Sequence, residues 1–432
     1  MRLGDDTVKK NKIFYGWWIV IGCMVITTTM VPLIMSLSNK FLLQITNDMN
    51  ISRSSFTLTS TILQGLGIFL SPFVAKYLAK GNMKKIQSIS IIGFVITYAS
   101  YSLAQNVWHL YISAFILGIF YLSATLIPVS MMITNWFVKK RGLAMSLAMS
   151  GIGLGGFIFS PVVSYFLEAF GWRMAYRIMA LIVLVLALPT ALFILKKKPE
   201  DMGLEAYGKN EKDTPSIKTP NNITGVSISV AQSKMKPFFW ILLVGMLANG
   251  IINSGALGQF PPAIEELHGV TVQATIISMY SLVGIFGKLL IGWINDKYGI
   301  VACTIFGCVT FGLSFVFMLL GGNVVMLYAM ALLFGLGSAI GTVLPPLVTS
   351  SIYGTEKYGE AYGIVNSFSQ LGLSIGSLFV ASVYDLSNSY TNAWIVLIIL
   401  TAVTYLAWIS SYKVSRKFCA PKTNPQKSSL TT

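Results

Sequence analysis

Charge is what this chain has least of: only 11% of its 432 residues are Asp, Glu, Lys or Arg, against roughly a quarter in a soluble domain. Histidine is scarcer still. The two present, His109 and His268, lie near the ends of separate hydrophobic segments, so they build no metal cluster, and no metal or other cofactor is expected. The 15 carboxylates all fall in connections, tails or segment ends, which leaves no pair inside the hydrophobic segments for acid–base chemistry and argues against an enzyme. Cysteine numbers four (Cys23, Cys303, Cys308, Cys419), placed in hydrophobic segments or the C-terminal tail, where a disulfide framework is not expected.

What is present in abundance is apolar length. Hydrophobic residues make up 54% of the chain, and twelve runs are long enough for a hydrocarbon layer of about 30 Å. They lie near 16–37, 56–76, 86–105, 109–133, 143–166, 176–195, 238–258, 272–294, 301–320, 324–349, 360–383 and 392–412. The first run is long and has no small-residue cleavage site before the second, so it reads as a membrane span and not as a cleaved signal. The formal charge of +16 is a topology signal and does not point to nucleic acid. With the N-terminus inside, 26 of the 31 Lys and Arg fall on the inner side and 4 on the outer, with Lys288 left over. Both termini are therefore expected in the cytoplasm of a multi-pass plasma-membrane protein whose solvent is the lipid bilayer.

Between Lys196 and Lys236 the composition becomes polar and charged, with Pro and Gly, as in a flexible cytoplasmic linker. The expected organisation is a six-helix half over 1–195, a linker over 196–237, a second six-helix half over 238–412 and a tail over 413–432. An offset of 217 residues lays Gly118 on Gly335, Pro128 on Pro345, Ala144 on Ala361, Gly155 on Gly372 and Gly67-Ile68-Phe69 on Gly284-Ile285-Phe286. A repeat used twice in one orientation is the pattern of carriers that rock two halves about a central site. GIGLGG (151–156) fits a dinucleotide fingerprint only formally, because it lies inside a hydrophobic run without a preceding strand, and its glycines are read as helix packing. Pro128, Pro161 and Pro345-Pro346 read as kinks or hinges.

GWINDKYG (292–299) resembles the signature loop of the major facilitator superfamily, which joins the second span of a half to the third. The resemblance implies gating contacts for Gly292, Asp296, Lys297 and Gly299, with Arg141 in NWFVKKRGLAMSLAMSGIGLGG (135–156) as a further member. In the first half the matching stretch is SPFVAKYLAKGNMKK (71–85), and the reading places Ala75 where the Asp belongs, so the equivalent contact is not expected there. FYGWWIV (14–20), ISRSSF (51–56) and FGWR (170–173), with the 135–156 stretch, are similar to the oxalate/formate antiporter and monocarboxylate transporter branch. The implied fold is an all-α integral membrane protein: twelve transmembrane helices in two pseudo-symmetric six-helix bundles.

Lys288 stands eight residues before Asp296, about 12 Å deeper along a helix. A lysine stem does not carry its charge to the interface from there, and a central Lys costs about 2.5–3.5 kcal/mol, so it calls for a polar cavity or a partner. Ser281, Gly284, Lys288 and Gly292 share one helical face. The resemblance points to the same residue, since the branch carries a substrate-pairing arginine four residues before the loop glycine. Asn249 and Asn253, then Asn366, Ser369 and Gln370, with Tyr280, Tyr121 and Gln64, are the other candidate substrate contacts. The branch's oxalate exchangers carry a second cation at the place aligned with Ser369, so a single cation fits a monocarboxylate better than a dicarboxylate. The expected function is secondary active transport of a small organic anion such as lactate, pyruvate or formate, by symport with protons or by antiport against another anion. With no carboxylate inside a span, the proton is expected to travel with the substrate, the other sites open to it being end-of-span groups such as Glu265 or Glu360. The chain is expected to act as a monomer. Two other readings stay open: a carrier of a neutral or cationic solute or drug, with Lys288 structural, and a membrane sensor that transports nothing.

Overall fold

The computed structural model describes residues 14–208, 226–387 and 389–419, and most of those residues are helical. Lipid offers no hydrogen bonds to a backbone, so a chain this apolar must satisfy its N–H and C=O groups within each segment, as helices do. Ten helical stretches are long and apolar enough to cross a membrane. Two run well past a bilayer's thickness: Arg141–Ile194 has 54 residues and Thr271–Leu319 has 49, about 80 and 70 Å of helix. Each is broken by one glycine, Gly171 (φ 73°, ψ 169°) and Gly299 (φ 82°, ψ 177°). That backbone region is open essentially to glycine alone. Each long stretch is therefore two crossings, and the twelve expected from hydropathy are present.

We number the crossings α1 (Gly16–Met35), α2 (Arg53–Lys80), α3 (Met83–Ser100), α4 (Val107–Trp136), α5 (141–170), α6 (172–194), α7 (237–268), α8 (270–298), α9 (300–319), α10 (Val324–Tyr353), α11 (Tyr358–Ser387) and α12 (Tyr390–Ser415). Large apolar side chains face outward around the bundle. Phe69, Phe73, Phe157, Phe193 and Phe286 are each more than 60% exposed, as a lipid-facing surface requires.

Each half has an aromatic nest at its centre. In the first, the Tyr176 ring lies 4.9 Å from Tyr98 and 5.2 Å from Tyr101. In the second, Phe334 lies 4.8 Å from Phe311 and 4.9 Å from Phe260. The offset of 217 carries Phe94 and Tyr98 onto Phe311 and Phe315, so the repeat read in small residues extends to the cores. It also carries Thr125 onto Thr342, and there both fourth spans lose helical geometry. Thr125 sits at φ −109°, ψ −110°, ahead of Pro128. A 3₁₀ turn at Ser338–Ile340 precedes Pro345-Pro346. Proline removes the hydrogen bond that would carry the helix through.

The described ends of the linker differ from the flexible connection expected. The Tyr207 amide donates to the Trp136 carbonyl at 2.9 Å, and the Val138 and Lys139 amides donate to the Tyr207 carbonyl at 3.1 and 3.0 Å. Its ring packs on Phe14 and Phe137. At the other end the Lys357 ammonium donates to the carbonyls of Val226 and Ser227 at 2.6 and 2.9 Å. Polar composition read as slack because backbone pairing to the α4–α5 and α10–α11 connections leaves no periodic signal. The middle of the linker, 209–225, lies outside the described residues.

Candidate functional site

The two halves meet where α5 crosses α8 and α2 crosses α11. At the linker end of the first crossing the Asp296 carboxylate accepts from the Gly142 amide at 2.6 Å and the Leu143 amide at 2.8 Å. Those are first-turn amides of α5, which have no acceptor within their own helix, and the positive end of its dipole lies there. The approach is close: a Cβ at Gly142 would collide with the Gly292 carbonyl oxygen, and one at Gly292 with Ser146 Oγ. Arg141 donates from Nε to the Phe137 carbonyl at 2.8 Å and from Nη2 to Thr355 Oγ1, in the other half, at 3.2 Å. Lys297 is exposed and lies over Trp293 and Tyr298, 4.9 and 5.1 Å from the ring centres. Gly299 supplies the turn into α9.

The second crossing corrects the alignment of the first-half loop. A Cβ at Gly359 would meet Ala79 Cβ at 3.2 Å, and one at Gly363 would meet Ala75 Cβ at 2.7 Å. The offset of 217 makes Gly359 the counterpart of Gly142 and Gly363 that of Ser146. Ala79, and not Ala75, therefore occupies the Asp position, while Ala75 stands at the position of Gly292. The residue type, alanine, and the missing carboxylate are unchanged.

Lys288 lies on α8 between these contacts. It is 8% exposed, and it forms no hydrogen bond or ion pair with the described residues. One turn before it, Gly284 faces Ser338 of α10, and one turn after it Gly292 faces α5. Leu282, Phe286 and Trp293 are exposed, as the helical spacing predicts, but so is Ser281, which leaves the buried face. Ser71 is the counterpart of Lys288 in the repeat. Its hydroxyl donates to the Gly67 carbonyl at 2.6 Å and accepts from Asn366 Nδ2 at 2.9 Å. The counterpart of Asn366 is Met149, whose thioether has no proton to share. The polar link at one crossing thus has no equivalent at the other.

Asn249 and Asn253 are buried and bonded to each other, Asn253 Nδ2 reaching Asn249 Oδ1 at 3.0 Å and its carbonyl at 2.8 Å. Asn253 abuts Gly341, in the break of α10. Gln370 lies against Gly67 of α2, and the Ser369 carbonyl lies against Gly250 of α7. Tyr280 and Tyr121 pack inside their own halves, on Phe334 (5.2 Å) and Phe94 (6.4 Å). Gln64 is half-buried on α2. Among the buried hydroxyls without a hydrogen-bond partner that sequence reading passed over are Ser338, Thr342 and Ser146. The first two sit in the break of α10, where Gly337, Gly341 and Pro345 were the available signal. Broken helices are where carriers of this architecture place polar contacts.

Comparison with known proteins agrees with this architecture. The profile of the Major Facilitator Superfamily matches residues 17–377 and, separately, 242–430. Monocarboxylate transporter 12 of Mus musculus is 23% identical over 407 residues, covering 88% of this chain and 82% of that one. The Xenopus laevis protein of the same name is 25% identical, covering 88% and 85%. The uncharacterized MFS-type transporter YhjX of Escherichia coli is 26% identical over 330 residues, covering 73% and 75%. Among solved structures, FucP in the outward conformation superposes with a TM-score of 0.68 at 14% identity, covering 92% of this chain and 99% of that one. The human organic anion transporter MFSD10 gives 0.63 at 13% identity, covering 91% and 98%.

Proposed function

The chain belongs to the major facilitator superfamily, a family of transporters rather than enzymes, and we propose that this member carries a small organic anion by alternating access. A monocarboxylate such as lactate, pyruvate or formate is the class of substrate that the single central cation fits best. The observation that carries the reading is Lys288: buried, unbonded to the described residues, and on α8 midway between Gly284, which meets α10, and Gly292, which meets α5 of the other half. An ammonium there costs about 2.5–3.5 kcal/mol, and an anionic substrate offsets that cost in each transport cycle. Lysine binds a carboxylate as a point charge, without the fork of arginine, which suits anions of varied shape. Asn249 and Asn253 on α7, and Asn366, Ser369 and Gln370 on α11, orient the remainder of the substrate. The names carried by the monocarboxylate-transporter relatives support the same class.

Coupling follows from the acid census. The fifteen carboxylates lie outside the span interiors, so an obligate proton site on Asp or Glu is missing from the pathway. The proton travels with the acid, or the carrier exchanges one anion for another. The linker and both termini face the cytoplasm of the plasma membrane, as the basic residues require.

The test is uptake of labelled lactate, pyruvate, formate and oxalate into proteoliposomes, with and without a pH gradient. Lys288→Ala is expected to lower uptake of the accepted anion at least tenfold, and Lys288→Arg to retain part of it. Undiminished uptake by the alanine variant would remove the anion site. Uptake of neutral or cationic solutes alone would assign Lys288 a structural role.

A further inference from the structure

The two crossings between the halves are built on matching rungs. Where α5 meets α8, a Cβ at Gly292 would collide with Ser146 Oγ, and one at Gly153 would meet Ile285 Cγ1 at 3.1 Å. The two helices therefore run antiparallel here. Ser146, Met149 and Gly153 are spaced by three and four residues, and so are Ile285, Lys288 and Gly292. Each set lies along one helical face. Met149 and Lys288 are the middle members, so they stand opposite each other between two established contacts. The second crossing confirms the register. The offset of 217 carries Ser146, Met149 and Gly153 onto Gly363, Asn366 and Gln370. There a Cβ at Gly363 would meet Ala75 Cβ at 2.7 Å, and one at Gly67 would meet Gln370 Nε2 at 2.6 Å. The middle rung between them is the hydrogen bond from Asn366 Nδ2 to Ser71 Oγ at 2.9 Å, and Ser71 is the counterpart of Lys288. Met149 is 1% exposed. Its thioether is a weak acceptor and no donor. One middle rung is thus a hydrogen bond, and the other sets a buried ammonium against a side chain that does not answer its charge.

We propose that Met149 is a positioning residue of the transport site, a role that rests on Lys288 being the anion-binding cation. It fills the place of a partner with an apolar group, and so keeps the ammonium unpaired inside the bundle and free for a substrate carboxylate. An amide at this position would accept from the ammonium, and the substrate would then have to displace it. The closure of the other crossing by Asn366 and Ser71 needs no such freedom, because neither residue carries a charge.

Met149→Gln tests this, since glutamine has nearly the length and volume of methionine and adds a carbonyl acceptor. Met149→Leu controls for shape. Uptake of labelled lactate, pyruvate and formate into proteoliposomes is measured for each variant. Met149→Gln is expected to raise KM for the accepted anion about tenfold, because a hydrogen bond to a charged group must be exchanged for the substrate. Met149→Leu should keep KM within about twofold of the wild-type value. Thermal unfolding without substrate gives a second readout. Met149→Gln is expected to raise Tm by about 1–3 °C where Lys288 is present, and to lower it in Lys288→Ala, where the new amide is left unpaired. A methionine that merely fills space would give the same change in both chains. An unchanged KM in Met149→Gln, a fall in its Tm with Lys288 present, or equal Tm changes in the two chains overturns the proposal. Normal uptake by Lys288→Ala would remove the anion site itself and the transport role of Met149 with it. The two failures are told apart because the Tm comparison does not depend on transport.

Discussion

At the scale of single residues, the two halves are held together by a carboxylate that forms no ion pair among the described residues. Asp296 reaches two amides of α5, while Arg141 reaches Phe137 and Thr355. Charge-assisted hydrogen bonds to a helix N-terminus are strong because the acceptor meets both the free N–H groups and the helix dipole. Asp296→Asn keeps the shape and removes the charge, and is expected to weaken the contact by about 1–2 kcal/mol. A cysteine placed at the buried Ser146, in a chain whose native cysteines are replaced, should then react with a thiol reagent several-fold faster. Unchanged reactivity would mean that the glycine contact alone closes this end. Asp48, outside the membrane segments, carries a different signal. Its hydrogen bonds from Arg173 and Trp172 hold the carboxyl below its ordinary value. A depressed carboxylate stabilises the fold above the unfolded pKa of about 3.9 and loses that contribution as pH falls through the folded value. Tm of the wild-type chain should therefore drop faster below pH 4 than that of Asp48→Asn, by a small amount because the pair is exposed.

At the scale of elements, glycine decides where one crossing ends and the next begins. Gly299 takes φ 82° and ψ 177°, which a side chain reaches only with strain of about 1–3 kcal/mol. Gly299→Ala is expected to lower Tm by several degrees, whereas Gly322→Ala, where a Cβ meets nothing within 4 Å, should leave it within a degree. The comparison separates backbone strain from any general intolerance of change in these connections. The breaks in α4 and α10 arise otherwise, from proline at equivalent positions of the repeat. They leave Ser338 and Thr342 without hydrogen bonds beside the face that carries Lys288 and Asn253. Proline and glycine were readable as hinges from the chain alone. The hydroxyls they free were not, because a serine in an apolar run ordinarily bonds back to its own helix.

At the scale of the whole molecule, the duplication explains both the resemblance of the halves and their differences. One ancestral pattern supplies Ser71 and Lys288 at equivalent places, and Ala79 and Asp296 at another pair. One member of each pair is charged and the other is not. The structure thus has one charged latch and one central cation, both on α8. The linker is fastened to the end of each half, so its sidedness reports that of the bundle. On the proposed topology, a cysteine replacing Ala206 is expected to be labelled by an impermeant thiol reagent only after the membrane is opened. Labelling in intact cells would invert the topology and, with it, the side on which Asp296 closes the pathway.

The number of crossings, the two halves, the superfamily loop and the buried cation were all determined by sequence. Each depends on local quantities, namely apolar run length, repeat offset and charge placement, which the chain carries whatever its neighbours are. Tertiary structure decided which alanine stands opposite α11, where Asn366 bonds, and that Tyr280 and Tyr121 pack inside their halves. It also decided that Lys288 finds no partner among the described residues. These are facts of approach between separate helices, 295 residues apart in the chain for Asn366 and Ser71, and no local pattern encodes the distance between two surfaces before they meet.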